Sequence, residues 1–189
     1  MEAPQIRRTG TASYAAALAL PQGAFFVGQR FWASIGYALP ALLDTLLAAP
    51  QRRHILCIGD GAFQVTAQEL STILRHNLKP IIIVINNDGY TVERMILGEN
   101  ATYNDINMWR YAQLGEVLDK GNRSLSLCAA TEPEFAEALE IAGAAPDRLV
   151  LIEAVMGRDD APNELQEICK RGARQYRPSA TPEDNRRPS

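Results

Sequence analysis

The tetrapeptide Gly59-Asp60-Gly61-Ala62 combines residue types that could hold a phosphate group and a cation. It directly follows the apolar run 54–58, which is typical of a strand. Glycines let the backbone approach a phosphate closely, and the N–H groups at a helix start attract anions. The carboxylate of Asp60 would repel a phosphate unless a divalent cation lay between them. The pattern therefore favours an anionic ligand bound through a cation, with Asp60 as an oxygen ligand.

A second polar cluster, Asn86-Asn87-Asp88-Gly89, follows the run 81–85 of isoleucine and valine, which is the strongest strand signal in the chain. Asn87 could give an amide oxygen to the same cation, and Gly89 a backbone carbonyl oxygen. Magnesium prefers about six oxygen ligands and often shares them with phosphates and water. Each cluster alone is ordinary turn chemistry. Asp60 and Asn87 are, however, 27 positions apart (87 − 60), the length of one crossover unit of a parallel sheet.

The elements that would position these clusters alternate between strands and helices. The predicted strands are 25–27, 54–58, 81–85, 125–128 and 149–155, and the predicted helices are 35–47, 65–74, 132–144 and 163–176. Apolar runs without polar alternation indicate strands that are buried on both faces. The sequence thus predicts an α/β fold, a single doubly wound domain with a mostly parallel sheet and helices on both faces. Ligands of such sheets bind outside the carboxyl ends of the strands, where both clusters lie.

The domain is expected to occupy residues 1–176, and the segment 177–189, rich in proline and charge, is expected to be a disordered tail. Arg7 and Arg8 precede a run of small residues and weakly resemble a twin-arginine leader peptide. The residues that follow are typical of a folded domain, so we do not expect a leader here. The most apolar long window, 33–49, contains a proline and an aspartate, which argues against a membrane span.

Composition excludes several classes of protein. The chain has 189 residues, 47% of them hydrophobic, and a net charge of −3, which gives no electrostatic reason to expect nucleic acid or an anionic membrane as partner. Its three cysteines lie far apart without metal-binding spacing. We therefore predict buried, reduced thiols in a cytoplasmic protein.

Taken together, the motifs resemble a known family. Gly59-Asp60-Gly61 through Asn86-Asn87 resembles the diphosphate–magnesium motif of thiamine-diphosphate enzymes, and 28–37 resembles the segment that holds the cofactor bent. The runs 88–93 and 103–109, with Asp160-Ala161-Pro162, resemble the branch of pyruvate, indolepyruvate and branched-chain 2-oxo acid decarboxylases. The resemblance covers residues from about 9 to 174 and is to the C-terminal diphosphate-binding domain of that family.

The resemblance implies thiamine diphosphate and Mg²⁺ as cofactors. Asp60 and Asn87 would ligate Mg²⁺ through their side chains and Gly89 through its carbonyl. The backbone N–H groups of Gly61 and Ala62 would hold the diphosphate. The other positions that the resemblance places along the cofactor are Thr11, Ala33, Ser34, Ile35, Gly59 and Tyr90.

For two residues, the role that the resemblance implies differs from the role that the sequence pattern alone predicts. Ile35 would be the apolar residue under the thiazolium ring, whereas the pattern alone favours a core isoleucine on a helix. Glu93 would be the catalytic acid–base carboxylate near the substrate, whereas beside Arg94 it would otherwise be a solvated surface charge. The chain also departs from the family, because Ala33 replaces the usual glycine and Leu97 the usual histidine.

The implied activity is the non-oxidative decarboxylation of a 2-oxo acid to an aldehyde and CO₂. The family works as dimers or tetramers, in which a pyrimidine-binding domain of another subunit supplies a further glutamate. We expect no such domain in these 189 residues, and therefore no turnover by this chain alone. Three interpretations stay open: a decarboxylase half-site that needs a partner, a non-catalytic binding module or fragment, and a carboligating relative such as an acetolactate synthase.

Overall fold

The computed structural model describes residues 5–8, 19–29, 34–98 and 100–176. In these ranges the strands are β1 Gln5–Arg8, β2 Phe26–Gly28, β3 His54–Gly59, β4 Ile81–Asn86, β5 Ser124–Ala129 and β6 Leu149–Val155. The helices are α1 Ala38–Ala48, α2 Asp60–Thr66, α3 Glu69–Arg75, α4 Thr91–Leu97, α5 Leu114–Leu118, α6 Glu132–Ala144 and α7 Asn163–Tyr176. Among these helices, none has the length and apolar character that crossing a membrane would need.

All six described strands form one sheet in the order β2-β1-β3-β4-β6-β5, and each neighbouring pair runs parallel. This confirms the predicted α/β fold with a parallel sheet. Strand β1 was not predicted, because its sequence Gln-Ile-Arg-Arg lacks an apolar run. Arg7 and Arg8, the pair that imitates a leader, lie in β1 between β2 and β3.

Helices cover both faces of the sheet, as predicted. Alternate residues of a strand point to opposite faces. On one face Leu56, Ile58, Ile82 and Val84 pack in a cluster with residues of α1, α2 and α3. On the other face Ile81, Ile83, Val150 and Ile152 pack with Ala138 and Ala142 of α6. Burying one large apolar side chain of this kind contributes about 1.5–3 kcal/mol, which makes the central strands a rigid support for the loops at their ends.

Several predicted helix boundaries were wrong. The first helix begins at Ala38 rather than residue 35, with Pro40 in its first turn, where a missing N–H costs nothing. The segment predicted as one helix over 65–74 is two short helices, α2 and α3. Val65, near the end of α2, is exposed, whereas Leu70, Ile73 and Leu74 of α3 are buried. Helix α4 was not predicted. The ranges of α6, β6 and α7 are confirmed.

The cysteine prediction holds only in part. Cys169 is buried and Cys57 is partly buried, but Cys128 is exposed on β5. The segment 177–189, predicted to be a disordered tail, lies outside the described residues.

Candidate cofactor-binding site

The two polar clusters predicted from sequence lie side by side at one edge of the sheet. Strands β3 and β4 are hydrogen-bonded neighbours, with Gly59 in register with Ile85. Both strands are parallel, so both end at the same edge, and each leads directly into one of the clusters. The sequence-based expectation that two adjacent strand ends would converge is therefore confirmed by the sheet topology.

Asp60 joins the two clusters directly. It is the first residue of α2 and is only 1% exposed. Its Oδ1 accepts a hydrogen bond from the Gly61 N–H at 2.7 Å, and its Oδ2 accepts one from the Gly89 N–H at 2.9 Å. Burial raises the pKa of Asp60 above its usual value, and these two hydrogen bonds oppose the shift. A cation beside the carboxylate would offset the cost of burying its charge.

The turn after β4 has a backbone that requires glycine at one position. Asp88 has φ +60°, and Gly89 has φ +107°. A Cβ on Gly89 would overlap the carbonyl oxygen of Asn104 and lie 2.9 Å from Nη2 of Arg94. The Gly89 carbonyl accepts a hydrogen bond from the Thr91 N–H at 3.1 Å, and its second lone pair is the one that a cation could use.

A buried arginine, to which the sequence pattern assigns no role, holds this turn in place. Arg94 on α4 is 2% exposed. Its Nη2 donates to the carbonyls of Asp88 and of Asn104, and to Oδ1 of Asp105 at 3.1 Å. Arg158 donates to the same Asp105 oxygen at 2.7 Å. The hydrogen bond from Arg94 is the main reason that the pKa of Asp105 is lowered. Two of these acceptors, on Asn104 and Asp105, belong to the motif 103–109. That motif is the feature of the sequence that could have indicated a partner for Arg94.

The ring of Tyr90 lies against Gly61. A Cβ on Gly61 would be 2.9 Å from Cδ1 and 3.0 Å from Cζ of that ring, and closer still to Cε1. By contrast, a Cβ on Gly59 would have no heavy atom within 4 Å. The structure thus brings Gly61 and Tyr90, both predicted to lie along the cofactor, into direct contact. Ala62 follows on α2 and is partly buried.

Of the segment 28–37, which is predicted to hold the cofactor bent, the structure describes residues 28–29 and 34–37. Ser34 is exposed, and its N–H donates to Oε1 of Gln29 at 2.6 Å. Ile35 lies in a turn before α1 and is 48% exposed, so the alternative of a core isoleucine on a helix is wrong. Thr66 Oγ1 donates to the Gly36 carbonyl at 2.9 Å, which ties this turn to the end of α2.

The predicted site residues that remain are Glu93, Thr11 and Ala33. Glu93 is exposed in the first turn of α4, whose apolar residues pack on α7. Burial raises the pKa of the Cys169 thiol on α7, and the negative charge of Glu93 adds to that shift. Thr11 and Ala33 lie outside the described residues. The catalytic role of Glu93 and the ligand roles of all the named residues stay predictions.

The donor set at this edge of the sheet fits a hard cation bound together with a diphosphate. It offers one carboxylate (Asp60), one side-chain amide (Asn87) and one backbone carbonyl (Gly89). Residues 5–8, 19–29, 34–98 and 100–176 hold no group of three or more His, Cys, Asp or Glu side chains that could bind a metal. Oxygen donors with few protein carboxylates suit Mg²⁺, which commonly completes its shell with phosphate and water.

Comparison with known proteins agrees with the geometry of the site. Residues 9–178 match the family described as thiamine pyrophosphate enzyme, C-terminal TPP binding domain. Similar proteins include an alpha-keto-acid decarboxylase of Mycobacterium ulcerans (strain Agy99), 50% identical over 149 residues, which are 79% of this chain and 26% of that protein. Another, from Mycolicibacterium paratuberculosis (strain ATCC BAA-968 / K-10), is 48% identical over 151 residues, or 80% of this chain and 27% of the relative. The chain thus spans about a quarter of the length of these relatives.

Proposed function

Since this chain belongs to the thiamine pyrophosphate enzymes, as their C-terminal TPP binding domain, we propose that it binds the diphosphate of thiamine diphosphate through Mg²⁺ and forms one half of a 2-oxo acid decarboxylase active site. The observation that carries the proposal is the contact between Asp60 and Gly89. It links the ends of two neighbouring strands at 2.9 Å, and it puts a buried carboxylate beside the turn that carries the Asn87 amide and the Gly89 carbonyl.

Each part of the site would have a separate task. Asp60, Asn87 and the Gly89 carbonyl would hold the cation, and the start of α2 would direct backbone N–H groups at the diphosphate. The Gly61 N–H donates to Asp60 in this structure, so its use by a phosphate requires that hydrogen bond to open or to be shared. Ile35, apolar and half exposed in a turn that is tied to α2, is a suitable support for an aromatic ring.

When bound, thiamine diphosphate supplies a nucleophilic carbon and an electron sink for loss of CO₂ from a 2-oxo acid. The protein's contribution to that reaction is to fix the cofactor, to exclude water and to hold protons. Glu93 is our candidate for a proton-holding carboxylate on the substrate side. Its exposure on α4 is compatible with a site that another surface covers.

The proposal that the reaction is a decarboxylation rests on the relatives' names and on the runs 88–93 and 103–109. About three quarters of each relative's length lies outside the matched region. We propose that a pyrimidine-binding unit in that remainder completes the site, in a dimer or a larger oligomer. The present residues would then provide cofactor affinity, and turnover would require both units.

Titration calorimetry of the full chain with thiamine diphosphate, with and without Mg²⁺, tests the cation site. Asp60→Ala should abolish the Mg²⁺-dependent part of the binding, because the cation would then face only neutral donors and phosphate. Asp44→Ala, which removes an exposed carboxylate on α1, is the matched control and should bind as the wild type does. Circular dichroism checks that both variants fold. Equal Mg²⁺-dependent affinity in wild type and Asp60→Ala would refute the assignment.

A further inference from the structure

Glu153 is a buried carboxylate that is not among the proposed ligands of the cation or the cofactor. It lies on β6 and is 8% exposed, two residues after Leu151 on the same face of the strand. Leu149 and Leu151 of that face belong to the apolar core. A carboxylate in such a position is costly unless each of its oxygens is hydrogen-bonded.

Both oxygens of Glu153 have a partner, one at the end of β4 and one in the short 3₁₀ helix Tyr111–Gln113. Oε1 accepts from Nδ2 of Asn86 at 2.7 Å, and Oε2 accepts from the Ala112 N–H at 2.8 Å. Ala112 is anchored in turn, because its neighbour Tyr111 is fully buried in the core. Glu153 therefore connects the end of β4 to a fixed point of the core.

Asn86 is the last residue of β4 and directly precedes Asn87. Its carbonyl accepts a hydrogen bond from the Met156 N–H at 2.8 Å, and its side chain is held by Glu153. Hydrogen bonds to the backbone and to the side chain of Asn86 thus fix the direction in which the chain enters the turn 87–89. That direction decides where the Asn87 amide and the Gly89 carbonyl lie relative to Asp60.

We propose that Glu153 is a positioning residue for the cation site, acting through Asn86 on the turn that carries Asn87 and Gly89. The inference rests on the proposed function for what the turn binds, but the ordering of the turn is a property of the ligand-free protein. The hydrogen bonds have a definite polarity, since a carboxylate accepts from both donors. A glutamine in place of Glu153 would accept from one donor and face the other with an NH₂ group.

This polarity permits a double-mutant cycle with a rescue. In Glu153→Gln one of the two hydrogen bonds is lost, and in Asn86→Asp two carboxylates face each other. In the double variant the NH₂ of the introduced glutamine can donate to the introduced aspartate, while the glutamine oxygen still accepts from Ala112. A residue that merely fills space would show no such recovery. Glu140→Gln, a change of an exposed glutamate on α6, is the matched control.

The first readout is hydrogen exchange of the Gly89 amide, measured by NMR in the full chain without ligand. We expect each single variant to accelerate this exchange about tenfold or more, and the double variant to return to within about threefold of wild type. Glu140→Gln should leave it unchanged. Unchanged exchange in Glu153→Gln, or a double variant no better than Glu153→Gln, would overturn the inference.

The second readout is the affinity for thiamine diphosphate with Mg²⁺, which should follow the same order of variants. If the wild-type chain fails to bind the cofactor, the proposed function is wrong. The exchange cycle still decides whether Glu153 positions the turn, so the two failures are distinguishable. Affinity that stays at the wild-type value in Glu153→Gln while exchange rises would also count against a positioning role for the cation site.

Discussion

Gly89→Ala is the substitution for which the structure gives the sharpest expectation. The Gly89 backbone has φ +107°, which a residue with a Cβ rarely adopts. The new methyl group would overlap the Asn104 carbonyl oxygen and crowd Nη2 of Arg94. Neither atom can easily move, because the carbonyl already accepts from the Tyr90 N–H at 3.0 Å and from Arg94 at 3.2 Å.

The magnitude has two parts. Placing an alanine in the left-handed region costs about 1–2 kcal/mol. Forcing a methyl group into a packed site costs about 1–3 kcal/mol more. We therefore expect Gly89→Ala to lower the free energy of unfolding by about 2–5 kcal/mol. Gly23→Ala is the matched control, since Gly23 has φ +81° but no heavy atom within 4 Å of the new methyl group, and only the first part applies.

Urea unfolding of the ligand-free chain, followed by circular dichroism, measures both values. The difference between the two variants isolates the contact with Asn104 and Arg94, and we expect about 1–3 kcal/mol for it. Equal destabilisation by Gly89→Ala and Gly23→Ala would show that the turn is not packed as described. Because the measurement needs no cofactor, it tests the geometry of the site independently of its function.

The remaining predictions concern proton transfer and pH. In an enzyme reconstituted with the rest of a decarboxylase, Glu93→Gln should lower kcat by about 10²–10⁴-fold while leaving cofactor affinity unchanged; a parallel loss of affinity would contradict an acid–base role. Asp105→Asn should destabilise the chain at pH 7, because Arg94 and Arg158 lose the negative charge with which both form ion pairs. The pKa of Asp105 is lowered, so its contribution is complete above the ordinary value of 3.8 and is lost as the pH falls through the lower folded value. Urea unfolding at neutral and acid pH should therefore show the gap between variant and wild type closing in acid, and a gap that persists would refute the ion-pair explanation.

The central strands were predictable because their signal is local. A continuous run such as 81–85 has to be buried on both faces, and the structure places it between β3 and β6. Strand β1 has no such signal, since its polar sequence pairs through the backbone with β2 and β3. The predicted helix over 65–74 failed for a related reason. Its apolar spacing does not show the break at 67–68, between α2 and α3.

The site was predictable as far as it follows from strand topology. Asp60 and Asn87 had to lie at one edge of the sheet if 54–58 and 81–85 formed adjacent parallel strands, and they do. Arg94 was not predictable as a buried residue, because its burial depends on three oxygen acceptors from the turn at Asp88 and the loop at 104–105, which the pattern of its own helix does not show. The burial of Glu153 was likewise not predictable, because its hydrogen-bond partners, Asn86 and Ala112, are distant in the sequence.

The buried charged side chains of this protein are concentrated in one region of the fold. Four Asp, Glu or Arg residues are buried among the described residues, and three of them, Asp60, Arg94 and Glu153, form hydrogen bonds with residues 86–89. Replacing buried polar contacts by apolar packing is often neutral or stabilising for a fold. Stability alone therefore does not explain this concentration of charge around one turn. The proposed cation site would explain it, because such a site needs the Gly89 carbonyl and the Asn87 amide at a fixed distance from the Asp60 carboxylate, and hydrogen bonds from three buried side chains restrict the positions of residues 86–89.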